Sequence, residues 1–593
     1  MKFYKIPFIW LIIPFILGIT TTNIVLISAT YSFFQFIVLF LLLLFAFNAK
    51  KIILKTTTQH TLLFASFFML GNSIMTLDEN KTQFSNENYT KNDNHYGIIT
   101  ESSITKSGYI KYIVECKNNT IYQSTRLENK KLVFVKINYN KTPFTDNSTI
   151  LFHCNFEKIK NLGYPGEFDS EFYWKNKGVY EIGFINNESN IKLLNHSQQT
   201  ILSPVSFRNN LTEILKSVLT GQELALANAL ILGERSLLTN ETTQGFSDTG
   251  AMHILAVSGL HIGILLQILL RIFQLFQKFI TKNQATILSL IIVWFYALIT
   301  GFSPSVVRSV IMFSFLLIGT MKGKENSEIN ILAFSAFILL SWKPIYIYDV
   351  GFQLSYTAML GIYLFYPFLK NVIISRYKIM QLIIEGSMVG IAAQITTVPL
   401  TLYYFHQFPN YFILTNIALM AFSFIILLLG MFLFSFFWIP TLPFILGTIL
   451  QKTMTLMLWI VNFFSKLPFA TAKGFEINKI TLLLLYLGII FLYFTLVRKK
   501  IKMLYIALLC NLCFAAYIFQ IRFKNNNAKI TYTHATYPIF QIHKVNHLNY
   551  YIFPSYTWKS NKTKRIIKDF STLYPGKSIL VPMEKLTSIK LNY

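Results

Sequence analysis

Long uninterrupted runs of apolar residues constrain the fold of this 593-residue chain more than any other feature. An α-helix needs a run of about 20 such residues to cross a lipid bilayer. Only 13% of the residues are charged, against about 25% in soluble domains. The pattern excludes an ordinary soluble enzyme and predicts a polytopic α-helical membrane protein. The clearest runs cover residues 6–29, 33–47, 61–77, 411–437 and 479–497.

The apolar segments predict about 11–13 spans, and the basic residues between them indicate an orientation. With the N-terminus in the cytoplasm, five of the six inner loops carry Lys or Arg, as the positive-inside rule requires. The predicted spans cover residues 6–28, 33–47, 61–77, 251–270, 285–300, 304–320, 328–341, 351–369, 381–403, 411–438, 443–464, 479–497 and 503–520.

This topology divides the chain into five parts. They are N-terminal helices (1–77), an extracytoplasmic β domain (78–200), amphipathic helices (201–250), a helical core (251–520) and a short basic extracytoplasmic tail (521–593). Residues 201–250 are predicted to lie at the outer interface or to pack on the bundle, because their apolar stripe is too short to span the membrane.

Residues 94–195 alternate apolar and polar side chains in short stretches separated by Asn, Lys, Gly and Asp. About five short strands in about 100 residues are typical of a small closed barrel of the oligonucleotide/oligosaccharide-binding (OB) type. Cys116 and Cys154 each fall on a predicted strand outside the cytoplasm, where disulfides persist. We therefore expect a disulfide between them, and the alternative is two separate buried thiols.

The stretch DTGAMHILAVSGLHIGIL at 248–265 places His253, Ser258 and His261 in a predicted apolar helix. Polar side chains within a span usually face the bundle interior and mark a site or a pathway. Ser258 and His261 can also meet as nucleophile and base, but no acid follows to orient the histidine, so a membrane-embedded hydrolase is the weaker interpretation. Small residues let another helix approach closely, and the predicted packing positions are Gly250, Gly259 and Gly263.

Several segments resemble one family. HILAVSGLHIGIL at 253–265, preceded by LALANALILGERSLL at 224–238, closely resembles the core of the ComEC competence family, the DNA-internalisation channel of natural transformation. Four further segments resemble the same family, and together with the first two they cover roughly residues 160–420. These four segments are GYPGEFDSEFYWKNKGVY at 163–180, GFSPSVVRSVIM at 301–312, DVGFQLSYTAMLGIYL at 349–364 and AQITTVPLTLYYFHQFPNYFILTNIALM at 393–420.

The resemblance implies an inner-membrane channel that passes single-stranded DNA into the cytoplasm and needs no cofactor. Its expected partners are the DNA strand in transit, membrane lipid and an extracytoplasmic DNA receptor, and a homo-oligomer is left open. The chain has no GxxxxGK[ST] motif. The energy for DNA import is therefore expected to come from a cytoplasmic motor or from single-strand-binding proteins that trap the strand.

Seven polar side chains are candidates for the DNA path. Arg308 lies about one turn into its span, where a guanidinium can meet phosphates; the alternative is an ion pair with an acid such as Asp349. Gln353 and Gln394 are neutral amides that can solvate a sliding polyanion, or else hydrogen-bond between helices. The full set is His253, Ser258, His261, Arg308, Asp349, Gln353 and Gln394.

Charge is unevenly distributed. The formal charge is +27, yet residues 78–200 hold 15 Lys and Arg against 14 Asp and Glu. DNA binding by this domain is therefore expected to be weak and to depend little on salt. The tail at 521–593 holds 12 basic against two acidic residues and is the better candidate for phosphate attraction. Bases can also stack on aromatic rings of the β domain, for which the candidates are Tyr109, Tyr112, Tyr122, Phe134 and Tyr139.

Many members of the family carry a C-terminal metallo-β-lactamase-like domain, which needs closely spaced His and Asp metal ligands. The tail holds only His534, His543 and His547, and Val545 replaces the glutamate of an HExxH pattern. We expect no metal site, no nuclease and no other enzymatic activity. The competing interpretation is a secondary transporter of another anionic solute, which would usually show inverted repeats. No matched halves are visible in this sequence.

Overall fold

The chain folds into a helical bundle, a β domain inserted after the first helices and a small sheet in the tail. A computed structural model describes residues 7–22, 33–39, 41, 56–83, 94–104, 109–117, 129–136, 144, 148–161, 169–185, 190–195, 204–235, 237–255, 257–323, 327–475, 477–524, 529–534, 537–545, 548–553 and 577–582.

Apolar helices dominate the structure. Among the described residues, eight helices are long and apolar enough to cross a membrane, and three shorter apolar helices accompany them. Residues 33–39 are also helical. The helices are α1 (Pro7–Thr20), α2 (Thr56–Gln83), α3 (Ser170–Asn176), α4 (Pro204–Val218), α5 (Gly221–Ala227), α6 (Asn240–Asp248), α7 (Gly259–Leu275), α8 (Lys282–Ile299), α9 (Pro304–Met321), α10 (Glu328–Trp342), α11 (Val350–Leu369), α12 (Lys378–Phe405), α13 (Phe412–Ser435), α14 (Leu442–Lys466), α15 (Lys479–Arg498) and α16 (Ile501–Lys524).

Each predicted span overlaps a helix, but the helix predicted from residue 251 begins later, at Gly259. Ser258 is its N-cap residue, and the backbone N–H of Ser258 donates to Nδ1 of His261. This bond satisfies a group that has no partner within the helix, so the helix starts here. His253 therefore lies in the turns before α7 and Ser258 at its cap, which corrects their predicted placement inside a helix.

Buried apolar clusters hold the bundle together. One joins α1, α2 and α10 around Phe15, Met75 and Leu339. A second joins α7, α8 and α9, where Ile262, Val293 and Val310 meet. Between membrane helices, such contacts stabilise mainly through van der Waals packing.

The short helices of 204–250 belong to a further cluster. Residues 225–232, in α5 and the π-helical turn Asn228–Leu232, are all buried. Leu226 and Leu230 share a core with Leu419 of α13 and Met454 of α14. Of the two placements expected for this segment, packing on the bundle is the one observed.

The β domain contains one seven-stranded sheet. Its pairing order is β5-β6-β3-β2-β1-β4-β7, and every neighbouring pair is antiparallel except β3 and β6. The five predicted strand segments are present, and β7 is an addition. Closure into an OB-type barrel stays a prediction. The strands are β1 (Asn94–Ile104), β2 (Tyr109–Lys117), β3 (Asn129–Lys136), β4 (Thr149–His153), β5 (Phe156–Lys158), β6 (Val179–Ile185) and β7 (Ile191–Asn195).

Two cysteines lie in the core of this domain. Cys116 and Cys154 are buried in the same apolar cluster and are unbonded in the structure. Burial raises the pKa of each thiol to about 12. Free thiols here would therefore react slowly at neutral pH. The disulfide stays a prediction.

The tail forms a separate four-stranded sheet. Strands β10 (Lys529–His534), β11 (Tyr537–Val545), β12 (Leu548–Phe553) and β13 (Lys577–Pro582) pair in chain order. The last two strands are parallel and the other pairs antiparallel. A further pair, β8 (Gln407–Pro409) and β9 (Thr471–Lys473), links two loops of the bundle. His547 lies outside the described residues.

Candidate functional site

A large cavity lies within the described part of the helical bundle. Its volume is about 2900 Å³, and its walls come mainly from α9, α11, α12 and α13. On α9 the lining positions recur every three or four residues, from Pro304 and Arg308 to Leu316. This spacing keeps one face of the helix toward the cavity. Most of the wall consists of apolar and small side chains.

The cavity extends along most of α12. Its lining includes residues of that helix from Leu382 to Phe405. At 1.5 Å per residue this stretch is about 35 Å long, and the hydrocarbon core of a bilayer is about 30 Å thick. Gly386 and Gly390 lie on the lining, and a Cβ atom at either position would meet no atom within 4 Å.

Arg308 is a buried cation on the cavity wall. Its side chain is only 4% exposed, and its Nη1 donates to the carbonyl of Ser355 at 2.8 Å. Nη2 donates to Oγ of Ser309 at 3.3 Å, and the guanidinium lies 5.7 Å from the ring centre of Tyr356. Among the described residues, no carboxylate lies within ion-pair distance and Nε has no hydrogen-bond partner. The predicted alternative, a pair with Asp349, is therefore not formed.

Asp349 has a different partner. It is the N-cap residue of α11, and its Oδ1 accepts a hydrogen bond from the backbone N–H of Phe352 at 2.7 Å. Asp349, His253 and Gln394 all line the cavity. Gln353 does not belong to that lining. Its amide donates to the carbonyl of Ile347 and accepts from the hydroxyl of Tyr404, so it ties α11 to α12.

Ser258 and His261 form a helix cap at the edge of the cavity. Nδ1 of His261 accepts from the backbone N–H of Ser258 at 3.0 Å, and Oγ of Ser258 lies 3.1 Å from the same nitrogen. Because Nδ1 is an acceptor, the proton of the neutral ring is on Nε2. Nε2 has no hydrogen-bond partner in the part of the chain that is described. No carboxylate orients this histidine, and the geometry is that of a cap.

The three predicted packing glycines each meet another segment. A Cβ atom at Gly259 would lie 2.5 Å from Oγ of Ser309 and 3.0 Å from Nη2 of Arg308. Gly263 faces Phe313 of the same helix, α9. Gly250 precedes α7 and packs on Pro409 and Phe412. The first turn of α7 thus lies against α9 at the position of Arg308.

One end of the cavity opens beside the β domain. We define the mouth cluster as Phe172, Tyr173 and Lys177 at α3, with Arg235 and Tyr348, all of which line the cavity. Desolvation lowers the pKa of Arg235, and the neighbouring Tyr173 opposes this shift. None of the five was predicted as a site residue. The run FYWKNK at 172–177, with three rings and two lysines, is the signal that could have indicated them.

The opposite end carries two carboxylates. Glu328 begins α10 and Glu385 lies in the second turn of α12, and both line the cavity. Glu385 accepts a hydrogen bond from Gln381. Over its whole length the cavity is lined by five Lys or Arg and four Asp or Glu. It is therefore close to electrically balanced.

The predicted stacking residues of the β domain have mixed outcomes. Tyr112 is 1% exposed, and its hydroxyl accepts from the backbone N–H of Phe144, so no base can reach it and that prediction is corrected. Phe134 is half-buried and stacks on Phe184. Tyr122, Tyr139 and the side chain of Tyr109 lie outside the described residues. Among the residues described, no group of three or more His, Cys, Asp or Glu could hold a metal ion.

Sequence comparisons match part of this chain to known proteins. The competence protein family matches residues 230–499. The chain is 27% identical over 266 residues to ComE operon protein 3 of Bacillus subtilis, covering 45% of this chain and 33% of that protein. It is 28% identical over 209 residues to Recombination protein 2 of Haemophilus influenzae, covering 34% of this chain and 25% of that protein.

A third relative is an uncharacterized protein of Aquifex aeolicus, 28% identical over 162 residues, covering 27% of this chain and 38% of that protein. The matched part thus spans between a quarter and two fifths of each relative. No solved structure matches. The family match includes α7 to α15 with most of the cavity wall. The matched part of the chain is similar to the competence protein family and to these relatives.

Proposed function

We propose that this protein is a membrane channel that passes single-stranded DNA into the cell during natural transformation. Similarity to the competence protein family supports a role in DNA uptake. The observation that carries the channel itself is the cavity that follows α12 for about 35 Å, from the β domain to the far end of the bundle. This length is sufficient to cross the hydrocarbon core.

The chemistry of the wall suits a polyanion that must keep moving. Small and apolar residues offer a strand few strong contacts, and the lining charges nearly cancel. Arg308 is a deeply buried cation of this wall, and among the described residues no carboxylate lies within ion-pair distance of it. A passing phosphate can therefore meet one buried guanidinium without competing with an internal anion. Conduction needs this balance between attraction and release.

The remaining parts of the chain fit the same proposal. The β domain and the tail lie outside the cytoplasm and the N-terminus inside, as the basic loops indicate. Only Cys154 and Asn155 separate β4 from β5, which lie near opposite ends of the pairing order, and this supports an OB-like sheet that closes on itself. The protein performs no enzymatic step. It receives DNA from an extracytoplasmic receptor and delivers it to a cytoplasmic motor or to single-strand-binding proteins.

Blocking the cavity tests this function. Gly390 is replaced by Cys in a chain that also carries Cys510→Ser and Cys513→Ser, because Cys513 is exposed. A bulky thiol reagent then fills the cavity at that position. We expect nuclease-resistant uptake of labelled DNA by competent cells to fall at least tenfold, with surface-bound DNA unchanged. Incoming DNA should also slow the modification.

Leu483→Cys is the matched control, since this side chain is on the exposed face of α15 and does not line the cavity. Its modification should leave uptake intact. Full modification at Gly390→Cys with undiminished uptake would show that DNA does not pass here.

A further inference from the structure

The helix α3 presents its aromatic side chains in two directions. Successive residues of a helix are turned by about 100°, so Phe172, Tyr173 and Trp174 cannot face the same way. Trp174 packs into the β domain against Ile113 and Leu132. Phe172 and Tyr173 remain 36% and 39% exposed and line the cavity. Trp174 thus fixes the helix, and the other two rings face the entrance.

Cations lie beside these rings. Nζ of Lys177 is 5.3 Å from the ring centre of Tyr173, and the Lys177 side chain is exposed to the cavity. Arg235 lines the same end. Asp169, a carboxylate that lines the same cavity, accepts hydrogen bonds from the backbone N–H of Phe172 and from Asn161. Because these bonds hold the carboxylate at the N-cap of α3, it does not neutralise Lys177 directly.

Planar rings with adjacent cations match the chemistry of unpaired nucleotides. A single strand has free base faces that stack on aromatic side chains, while its phosphates attract Lys and Arg. A duplex offers no free base faces within its length. The position at the cavity entrance also matters, because a strand held there is already aligned with the path into the bundle.

We propose that the mouth cluster is a stacking platform that binds single-stranded nucleic acid without sequence preference as it enters the cavity. Bases stack on Phe172 and Tyr173, and Lys177 and Arg235 contact the flanking phosphates. The inference rests on the proposed channel function and adds the site where the strand is first engaged. The contact between Phe172 and Tyr348, with ring centres 5.5 Å apart, indicates a competing role in which α3 only fastens the β domain to the bundle.

Leucine substitutions separate stacking from fastening, because leucine keeps an apolar contact but has no ring. The full-length protein in nanodiscs is titrated with a fluorescent oligothymidylate. Phe172→Leu and Tyr173→Leu should each weaken binding by roughly 5- to 100-fold, and Tyr173→Phe should bind as the unsubstituted protein does. Lys177→Gln should lower the slope of log affinity against log salt by about 0.7. A duplex of equal length should bind weakly to all forms.

Phe184→Leu is the matched control. Phe184 is an exposed ring of the same domain, 53% accessible, and it does not line the cavity. Its substitution should leave the affinity unchanged. If Phe184→Leu weakens binding while the two mouth variants do not, the strand binds the face of the sheet and the proposal is wrong. The proposal is also wrong if the mouth variants alter only thermal stability, since α3 then only attaches the β domain to the bundle.

The cavity-blocking experiment distinguishes failure of this inference from failure of the channel proposal. If modified Gly390→Cys stops uptake and the mouth variants bind and import DNA normally, the channel stands and the platform does not. If the mouth variants lose binding but a filled cavity still imports DNA, the platform stands and the path lies elsewhere.

Discussion

At the scale of single residues, two buried cations have opposite surroundings. Lys131 in the β domain lies 2.7 Å from the carboxylate of Glu181. Arg308 in the bundle is held by a carbonyl, a hydroxyl and an aromatic ring, with no carboxylate near it among the described residues. A charge balanced within the protein contributes to its fold, whereas an unbalanced charge on a cavity wall is available to a passing anion.

Arg308→Met should therefore separate stability from function. We expect the free energy of unfolding to change by no more than about 1 kcal/mol, since no internal anion loses its partner. DNA uptake should fall at least tenfold. Thermal unfolding in detergent and uptake in cells measure the two effects.

Lys131→Met is the contrasting variant. It leaves the Glu181 carboxylate without its partner and should cost about 1–3 kcal/mol of stability. If instead Arg308→Met is the more destabilising of the two, Arg308 is a structural residue and its role in the DNA path is refuted.

At the scale of elements, the start of α7 decides how closely it approaches α9. The cap formed by Ser258 and His261 fixes the first turn, and Gly259 places that turn against Ser309 and Arg308. Two sequence signals, a polar cap and small residues, thus act at one contact. The first turn of α7 therefore packs directly against the Arg308 side chain.

Gly259→Ala tests this contact. The new Cβ would lie 2.5 Å from Oγ of Ser309 and 3.0 Å from Nη2 of Arg308, so these side chains or α7 must shift. We expect a loss of about 1–3 kcal/mol in stability and a clear fall in uptake. Gly390→Ala on α12 is the control, since open space surrounds that position and alanine favours the helix by about 1 kcal/mol. Equal effects of the two substitutions on thermal unfolding and uptake would show that the close contact between Gly259 and α9 is not important.

At the scale of the whole molecule, most of the basic charge lies away from the cavity. The cavity lining holds five basic and four acidic residues, and the segment 78–200 holds 15 against 14. The tail at 521–593 holds 12 against two. Long-range attraction of DNA is therefore expected from the tail, and guidance along the path from local contacts.

Removing residues 525–593 should make DNA binding by the membrane-embedded protein less dependent on salt. The deletion takes away ten Lys and Arg, and each phosphate contact with a single strand contributes about 0.7 to the slope of log affinity against log salt. Titration of an oligonucleotide at several salt concentrations measures the slope. A slope that does not change would place the main electrostatic attraction in the bundle or the β domain.

The sequence by itself determined most of the elements and indicated a family resemblance. Apolar runs of span length and alternating strands are local patterns, so the long apolar helices and the strands β1–β6 could be predicted. It also indicated six of the seven candidate residues on the cavity wall, although His253, Ser258 and Asp349 lie at or before the start of a helix and not within a span.

Only the tertiary structure decided how distant segments meet. Gln353 is polar within a span but hydrogen-bonds between helices, and Tyr112 lies on a strand but faces the core. The mouth cluster joins residues 172–177 to Arg235 and Tyr348, which are far apart in the chain. Which side chains share one cavity depends on packing between elements, and local periodicity does not contain that information.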